Sequence, residues 1–473
     1  MSGRIGKMKK KNTKRIPAKD AEKVKIQKEQ RLGQEPIGKL LWSMAVPSII
    51  GVMAYNLYNI FDTLFISIGV GTDAVGGVSV SLPLFIFLSA VSSTLGSGGA
   101  SVMSRALGQK DYEKAGKTVG NTFSLFYITA ILVTVTGLLY LDKMLHIIGI
   151  TESLLPYARA YSRIILAGAI SSTGFSSLIR AEGSSRYAMY IWVIPMGANI
   201  LLDVVFIFAF HWGVTGAALA TVLSQVISMG MSIYYFFFSG KRALRLLPRH
   251  FLPDKKVLKE IISIGIPSFV QMSGLSISVI MTNRFLSIYG GALSISAYGI
   301  VSKIYTFFLI PVLGLTQGLQ PVIGYNNGAK KMERVRAALK LSSLAAAGYG
   351  LMMLLLTVLS AEAMVHIFTK DAEVITLGSH ALRIISAGLL FSGLQYVQAT
   401  YYQATGKKGR ALCIALCNYV ICYFPSLYIL TSFYGLEGVW YALPLSAAVT
   451  AAVSLTIQAH GKIPGSRGPQ DIR

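Results

Sequence analysis

Acid is scarce in this chain. Of 473 residues only twenty are Asp or Glu, against forty-four Lys or Arg, and charged residues make up 14%. Soluble domains carry nearer a quarter, so a water-soluble fold is excluded. Cysteine is almost missing. The three present, Cys413, Cys417 and Cys422, share one apolar stretch without a neighbouring histidine. That excludes a disulfide framework, speaks against a metal site and leaves packing as their role. No His/Asp/Ser set recurs at helical spacing, which argues against an enzyme. The glycine-rich GSGGA at 96–100 lacks the strand and the Lys-Ser/Thr of a phosphate loop, so it reads as close helix packing, and no cofactor is expected. A signal peptide is lacking as well: the charged N-terminal stretch is too long and no short apolar region with a cleavage site follows it.

What the chain does contain is apolar sequence, 53% of it, with a mean hydropathy of +0.57. Runs of about twenty apolar residues or more recur along its length, the mark of bilayer-spanning helices. Twelve helices fit, over 41–68, 75–103, 119–141, 155–179, 187–210, 214–238, 259–287, 292–324, 338–360, 376–404, 410–432 and 436–458. The net charge of +24 is placed by position. Thirteen basic residues lie in the first forty, and most others fall in the even-numbered connections, such as Arg105, Lys110, Lys114 and Lys117 after helix 2. This is the positive-inside bias, with attraction to anionic lipid beside it. It predicts two cytoplasmic termini and argues against nucleic acid as a partner.

The chain repeats itself. At an offset of 220, Lys39, Ser43, Pro47 and Ser48 align with Lys259, Ser263, Pro267 and Ser268, and Gly108, Lys110 and Glu113 with Gly328, Lys330 and Glu333. At 222, Gly213 and Gly216 match Gly435 and Gly438. The predicted organisation is a basic cytoplasmic tail over 1–35, disordered or lying on the surface, and a first six-helix lobe over 36–238. A basic linker (239–258), a second lobe (259–458) and a cytoplasmic tail (459–473) follow. Six crossings put both lobes in the same orientation. Such parallel repeats characterise transporters that bind substrate between the halves.

Only two acids, Asp62 in VMAYNLYNIFDTLFISIGV and Asp203 in YIWVIPMGANILLDVVFIFAF, lie deep in apolar stretches. A carboxylate there is expensive, faces protein rather than lipid and marks function. Asp62 falls seven residues short of the outer end of helix 1, about 10 Å at the α-helical rise. Asp203 near the end of helix 5, and Thr221 near the start of helix 6, come to about the same depth. Asn199 shares the face of Asp203 one turn away. Neither acid can cap a helix, because each is nearer the negative end. Low dielectric and that dipole both disfavour the anion, the condition for exchanging a proton near neutral pH. The all-oxygen set also suits a hard cation such as Na⁺. Pro195, one turn before Asn199, removes a helix donor and is expected to mark either a hinge in helix 5 or an ordinary helix bend. The second half has Thr282 where the first has Asp62, and its deep charge is instead a base, Lys303.

Particular motifs resemble the multidrug and toxic compound extrusion (MATE) transporters, specifically the MepA-like and DinF-like branches. They are P-x14-D-T-x-F-I in helix 1 (Pro47, Asp62, Thr63, Phe65, Ile66), SRALGQKDYEKA after helix 2, and N-x3-D in helix 5 (Asn199, Asp203). GVTGAALATVLSQ opening helix 6 and QPVIGYNNGA after helix 8 complete the set. The resemblance spans residues 36–458. It implies an all-α polytopic membrane protein, with two six-helix lobes related by a pseudo-two-fold axis and forming a V. It further implies export of amphipathic, often cationic, small molecules by antiport with H⁺ or Na⁺. The resulting expectation is a monomeric rocker-switch exporter in a bacterial plasma membrane, in contact with lipid and coupled at Asp62, Asn199, Asp203 and Thr221. Tyr55, Tyr58, Phe61, Phe65, Lys303, Phe307 and Gln320 are expected along its substrate cavity. The alternative is a flippase for lipid-linked oligosaccharides, which would want a more cationic cavity than two deep acids and one lysine provide.

Overall fold

In the computed structural model, residues 18–148, 150–172 and 174–460 are described. Among them twelve helices are long and apolar enough to cross a membrane. The first six are α1 (Ile37–Gly69), α2 (Phe85–Gly108), α3 (Tyr112–Leu139), α4 (Leu155–Ala181), α5 (Ser185–Ala209) and α6 (Gly213–Phe237). The second six are α7 (Lys255–Tyr289), α8 (Gly291–Gly328), α9 (Met332–His366), α10 (Ala372–Ala404), α11 (Lys408–Tyr434) and α12 (Leu436–His460). The fold is the all-α, twelve-span architecture expected of the chain, and no strand occurs among the described residues.

Several helices begin earlier than hydropathy alone predicts, because polar caps extend them beyond the apolar segment. Asp111 accepts from Lys114 N ahead of α3, Asp254 from Lys256 N and Val257 N ahead of α7, and Asp371 from Glu373 N and Val374 N ahead of α10. Each satisfies orphan donors of a first turn. Backbone donation from Val257 and Lys256 also holds the Asp254 carboxyl below the usual range. Two predicted helices are interrupted. The stretch expected as one helix from 75 splits at Ser81 into Thr72–Val80 and a segment from Leu82 with Pro83 in its first turn, where proline costs no hydrogen bond. Within α4 the run turns 3₁₀ over Gly168–Ser171 before resuming at Phe175.

The repeat is visible in the backbone. Left-handed φ recurs at Gly71 and Gly291, at Lys110 and Lys330, at Gly183 and Gly406, and at Gly213 and Gly435, all near the offset read from sequence. Within the first half α1 packs on α5, α5 on α6 and α6 on α4; in the second, α8 and α9 pack on α10, and α10 and α11 on α12. The halves meet where α1 lies on α8 and α2 on α7 and α8. These contacts are tightest toward the face at which α1 begins and α12 ends, the terminal face. A Cβ on Gly98 would strike Ile261 O, and one on Gly108 would strike Tyr325 O. Their repeat mates meet matching obstacles, Gly318 at Ala45 and Gly328 at Arg105 O. Polar contacts close the same face: Ser97 Oγ to Ser268 Oγ at 2.8 Å, and Glu260 to Arg105 at 3.0 Å and Lys114 at 2.9 Å.

Residues 18–34 of the basic N-terminal segment form a helix, Ala18–Gln34, with Leu32 buried in the main core. The C-terminal segment from 461 lies outside the described residues.

Candidate functional site

Asp62 on α1, Asn199 and Asp203 on α5 and Thr221 on α6 are all buried, with Asp203 and Asn199 at 0% exposure. The packing of α1 on α5 and of α5 on α6 gathers three helices around one level. Asp62 and Asp203 are close enough to interact as charges, and the Tyr58 and Tyr161 phenols lie beside both acids and Thr221.

Protein partners satisfy little of this cluster. Tyr161 Oη donates to Asp62 Oδ2 at 3.4 Å. Asp62 Oδ1, both carboxylate oxygens of Asp203, both amide atoms of Asn199 and Thr221 Oγ1 have no protein partner. Leaving one such atom buried and unpaired costs about 1–3 kcal/mol, and native proteins leave few. Here six such atoms lie on four side chains, five of them oxygens that could accept a proton or a small cation and one, Asn199 Nδ2, a donor. Immediately past Asp203, α5 switches to π-helix over Val204–Ala209, a distortion that often accompanies functional sites. Toward the face opposite the termini, an apolar cluster of Ile66, Ile207, Val214, Ala217 and Ala218 covers the site.

Tyr161 is a site residue that the sequence reading missed. It stands six residues into α4, about 9 Å deep at the helical rise, so the depth argument that found the acids would have found it. The second half holds a neutral counterpart. Thr282, at the repeat position of Asp62, shares a hydrogen bond with the Tyr423 hydroxyl on α11. Among the described residues no cluster of three His, Cys, Asp or Glu could hold a metal ion.

The residues expected along a cavity distribute differently. Tyr58 and Phe65 share the face of Asp62 and turn into the first half, where Phe65 packs edge-on against Phe208. Phe61 stacks on Phe65, and Tyr55 sits edge-on to Trp192 of α5. Gln320 is tied up at the junction of the halves, its Nε2 donating to Ser97 O at 3.0 Å. Lys303 and Phe307 are exposed on one face of α8 with Ser296, Gly299 and Thr306. Apart from Phe307 that face carries small or polar residues, unlike the exposed face of α9, where Leu344, Leu351, Leu355 and Leu359 suit lipid. Lys303 makes no ion pair among the described residues. On α1 the open polar positions are Asn59, Thr63 and Ser67. Pro195 is buried inside α5, which remains helical through it.

A family model described as MatE matches residues 47–205 and 267–429, once in each half. The multidrug export protein MepA of Staphylococcus haemolyticus (strain JCSC1435) is 28% identical over 433 residues, covering 90% of this chain and 94% of its own. MepA of Staphylococcus aureus (strain N315) is 28% identical over 429 residues with the same coverage. The solved outward-facing conformation of a multidrug resistance MATE family transporter of the MOP superfamily superposes with a TM-score of 0.86 at 26% identity, over 91% of this chain and 97% of that one. A MOP superfamily transporter from Pyrococcus furiosus, described as having a binding pocket of reversed polarity, gives 0.86 at 25% identity with the same coverage.

Proposed function

The chain belongs to the MatE family, on its MepA-like branch, and from this we propose that it is a multidrug exporter driven by antiport through the first-half carboxylates. It works as a multi-pass protein of the plasma membrane with both termini in the cytoplasm, and its closed terminal face is the cytoplasmic side. The observation that carries the reading is the set of six unpartnered buried polar atoms on Asp62, Asn199, Asp203 and Thr221. The second-half counterpart, a closed and neutral Thr282–Tyr423 pair, supports coupling in the first half alone.

The cycle follows from charge. With the acids ionised, the first half attracts a lipophilic cation into the cavity between the halves. A drug cation about 10 Å from one carboxylate gains about 1.7 kcal/mol in an effective dielectric of about 20, or roughly fifteenfold in affinity. After the halves rock to open outward, H⁺ or Na⁺ occupies the Asp62–Asp203 site, cancels that attraction and releases the drug. The cation therefore acts on the drug through the field, since the buried acids face the interior of the first half, away from the open face of α1 that carries Asn59 and Thr63. Asn59, Thr63, Lys303 and Phe307 belong to the substrate cavity; Tyr55 and Phe61 lie at its first-half edge. Pro195 gives α5 a flexible point one turn below Asn199.

The test uses purified protein in proteoliposomes, with pH and Na⁺ gradients imposed separately and a fluorescent cation as substrate. D62N and D203N are expected to lose gradient-driven transport by about tenfold or more, and the gradient that drives wild-type transport identifies the coupling ion. Unchanged transport in both variants overturns the site.

A further inference from the structure

The terminal helix Ala18–Gln34 ends in a segment, Lys28–Glu35, that is gripped from both halves of the molecule. On the first half, Lys28 Nζ lies 2.9 Å from Glu182 Oε2 and 2.8 Å from the Tyr235 hydroxyl. The Glu182 side chain is fully buried and its needs are met on every side. Tyr235 Oη donates to Oε2, while the backbone N–H groups of Ala243 and Leu244 donate to Oε1 at 2.9 and 3.0 Å. Burial holds the Lys28 ammonium below the usual lysine range despite the attraction of Glu182. Tyr112 on α3 adds a hydrogen bond to Glu29 at 2.7 Å, and Lys25 lies 3.2 Å over its ring.

The second half grips the opposite end. A helix leaves its last four carbonyls without partners in the helix, and its C-terminus attracts positive charge. Here side chains around the α8–α9 turn cap two of those carbonyls, Leu32 O and Gly33 O, and the carbonyl of Glu35 just past the helix end. Asn326 Nδ2 donates to Leu32 O at 3.0 Å, Lys331 Nζ to Gly33 O at 2.8 Å and Arg334 Nη2 to Glu35 O at 2.7 Å. Arg334 Nε also donates to Asn326 Oδ1 at 2.9 Å, which orients the pair.

We propose that Lys28–Glu35 is a clasp that locks the terminal face shut, so that opening this face requires releasing either the Glu182 socket or the Asn326–Lys331–Arg334 cap. The argument is geometric. The socket belongs to the α4–α5 turn and α6, the cap to the α8–α9 turn, and these separate whenever the two halves part at this face. If the segment stays with the first half, its helix C-terminus loses the cap. If it leaves with the second half, Lys28 abandons a buried carboxylate, which is costly. The clasp thereby favours the state closed at the termini and gives the N-terminal segment a conformational role. Calling that state outward-facing rests on the sidedness proposed above; the clasp itself does not.

The test reads distance, not transport, so its failure is separable from failure of the coupling site. In full-length protein in nanodiscs, the three free cysteines are replaced by serine. Dyes are then placed at Q109C and K408C, exposed positions of the two halves on the terminal face. Single-molecule energy transfer reports how often that face is open. R334M removes part of the cap, and K28M/E182Q removes the socket pair without leaving a buried charge. Each is expected to raise the open fraction about tenfold, the weight of a charge-assisted hydrogen bond. The triple variant should add little further, because both ends serve one clasp. An unchanged open fraction in either R334M or K28M/E182Q overturns the proposal.

Discussion

Thr221 shows at a single position what the site gives up in stability. Its hydroxyl is buried without a partner beside two carboxylates and an amide that are no better satisfied. If stability alone mattered, valine would serve better there, since it has the same shape and no group to desolvate. T221V is therefore expected to unfold at higher temperature, by about 1 kcal/mol in stability, while gradient-driven transport falls by roughly tenfold, as for loss of one contact in an ion's shell. Thermal unfolding and proteoliposome transport on the same preparation check it; a variant that loses both stability and transport makes the residue merely structural. The members of the candidate site that are legible in the sequence are those whose chemistry conflicts with a membrane: Asp62, Asp203, Asn199 and Thr221. Tyr161 escaped because a tyrosine in an apolar helix reads as packing, although it stands at the same depth. Tyr58 and Phe65 are expected along the cavity only while the faces of α1 are left out of account. At i−4 and i+3 from Asp62 they lie on its side of α1, so an acid facing the protein interior takes both with it.

At the scale of helices, spans and repeat were legible because hydropathy and spacing are long-range signals, whereas departures from regular helix were not. The π-segment after Asp203 and the 3₁₀ turn in α4 answer to packing between helices, which no one-dimensional pattern carries. Glycines are the exception, since the repeat marks them twice. Gly98 and Gly318 align at the 220 offset, and each stands where a neighbouring helix from the other half leaves no room for a Cβ. G98A should therefore leave each half folded but prevent closure of the terminal face, raising its open fraction roughly tenfold in the distance assay. Gly197 on α5 has open space around its Cα and serves as control. G197A should gain about 0.5–1 kcal/mol from lower unfolded-state entropy and leave the open fraction alone. Equal behaviour of the two variants would show that the Gly98 contact does not govern closure.

Across the whole molecule, the cavity proposed above would have walls of opposite charge. The first half buries Asp62 and Asp203 behind α1, and the second half exposes Lys303 on the polar face of α8. Lys303 sits twelve residues from the start of α8, about 18 Å along the helix, too deep for easy snorkelling. A drug that carries only positive charge is drawn to one wall and repelled by the other. A drug that also carries a carboxylate gains at both. The cavity should thus prefer zwitterionic amphipaths to quaternary cations of equal size. K303Q removes the second-half charge without touching the coupling site. Its transport of a zwitterionic substrate should fall roughly fivefold, near the 1 kcal/mol upper range for a solvated ion pair, while transport of a quaternary ammonium dye holds or rises. Competition between the two substrates in one vesicle preparation measures the ratio directly. A ratio equal to wild type would mean that Lys303 does not meet the drug, and a parallel loss of both would assign it to the conformational cycle.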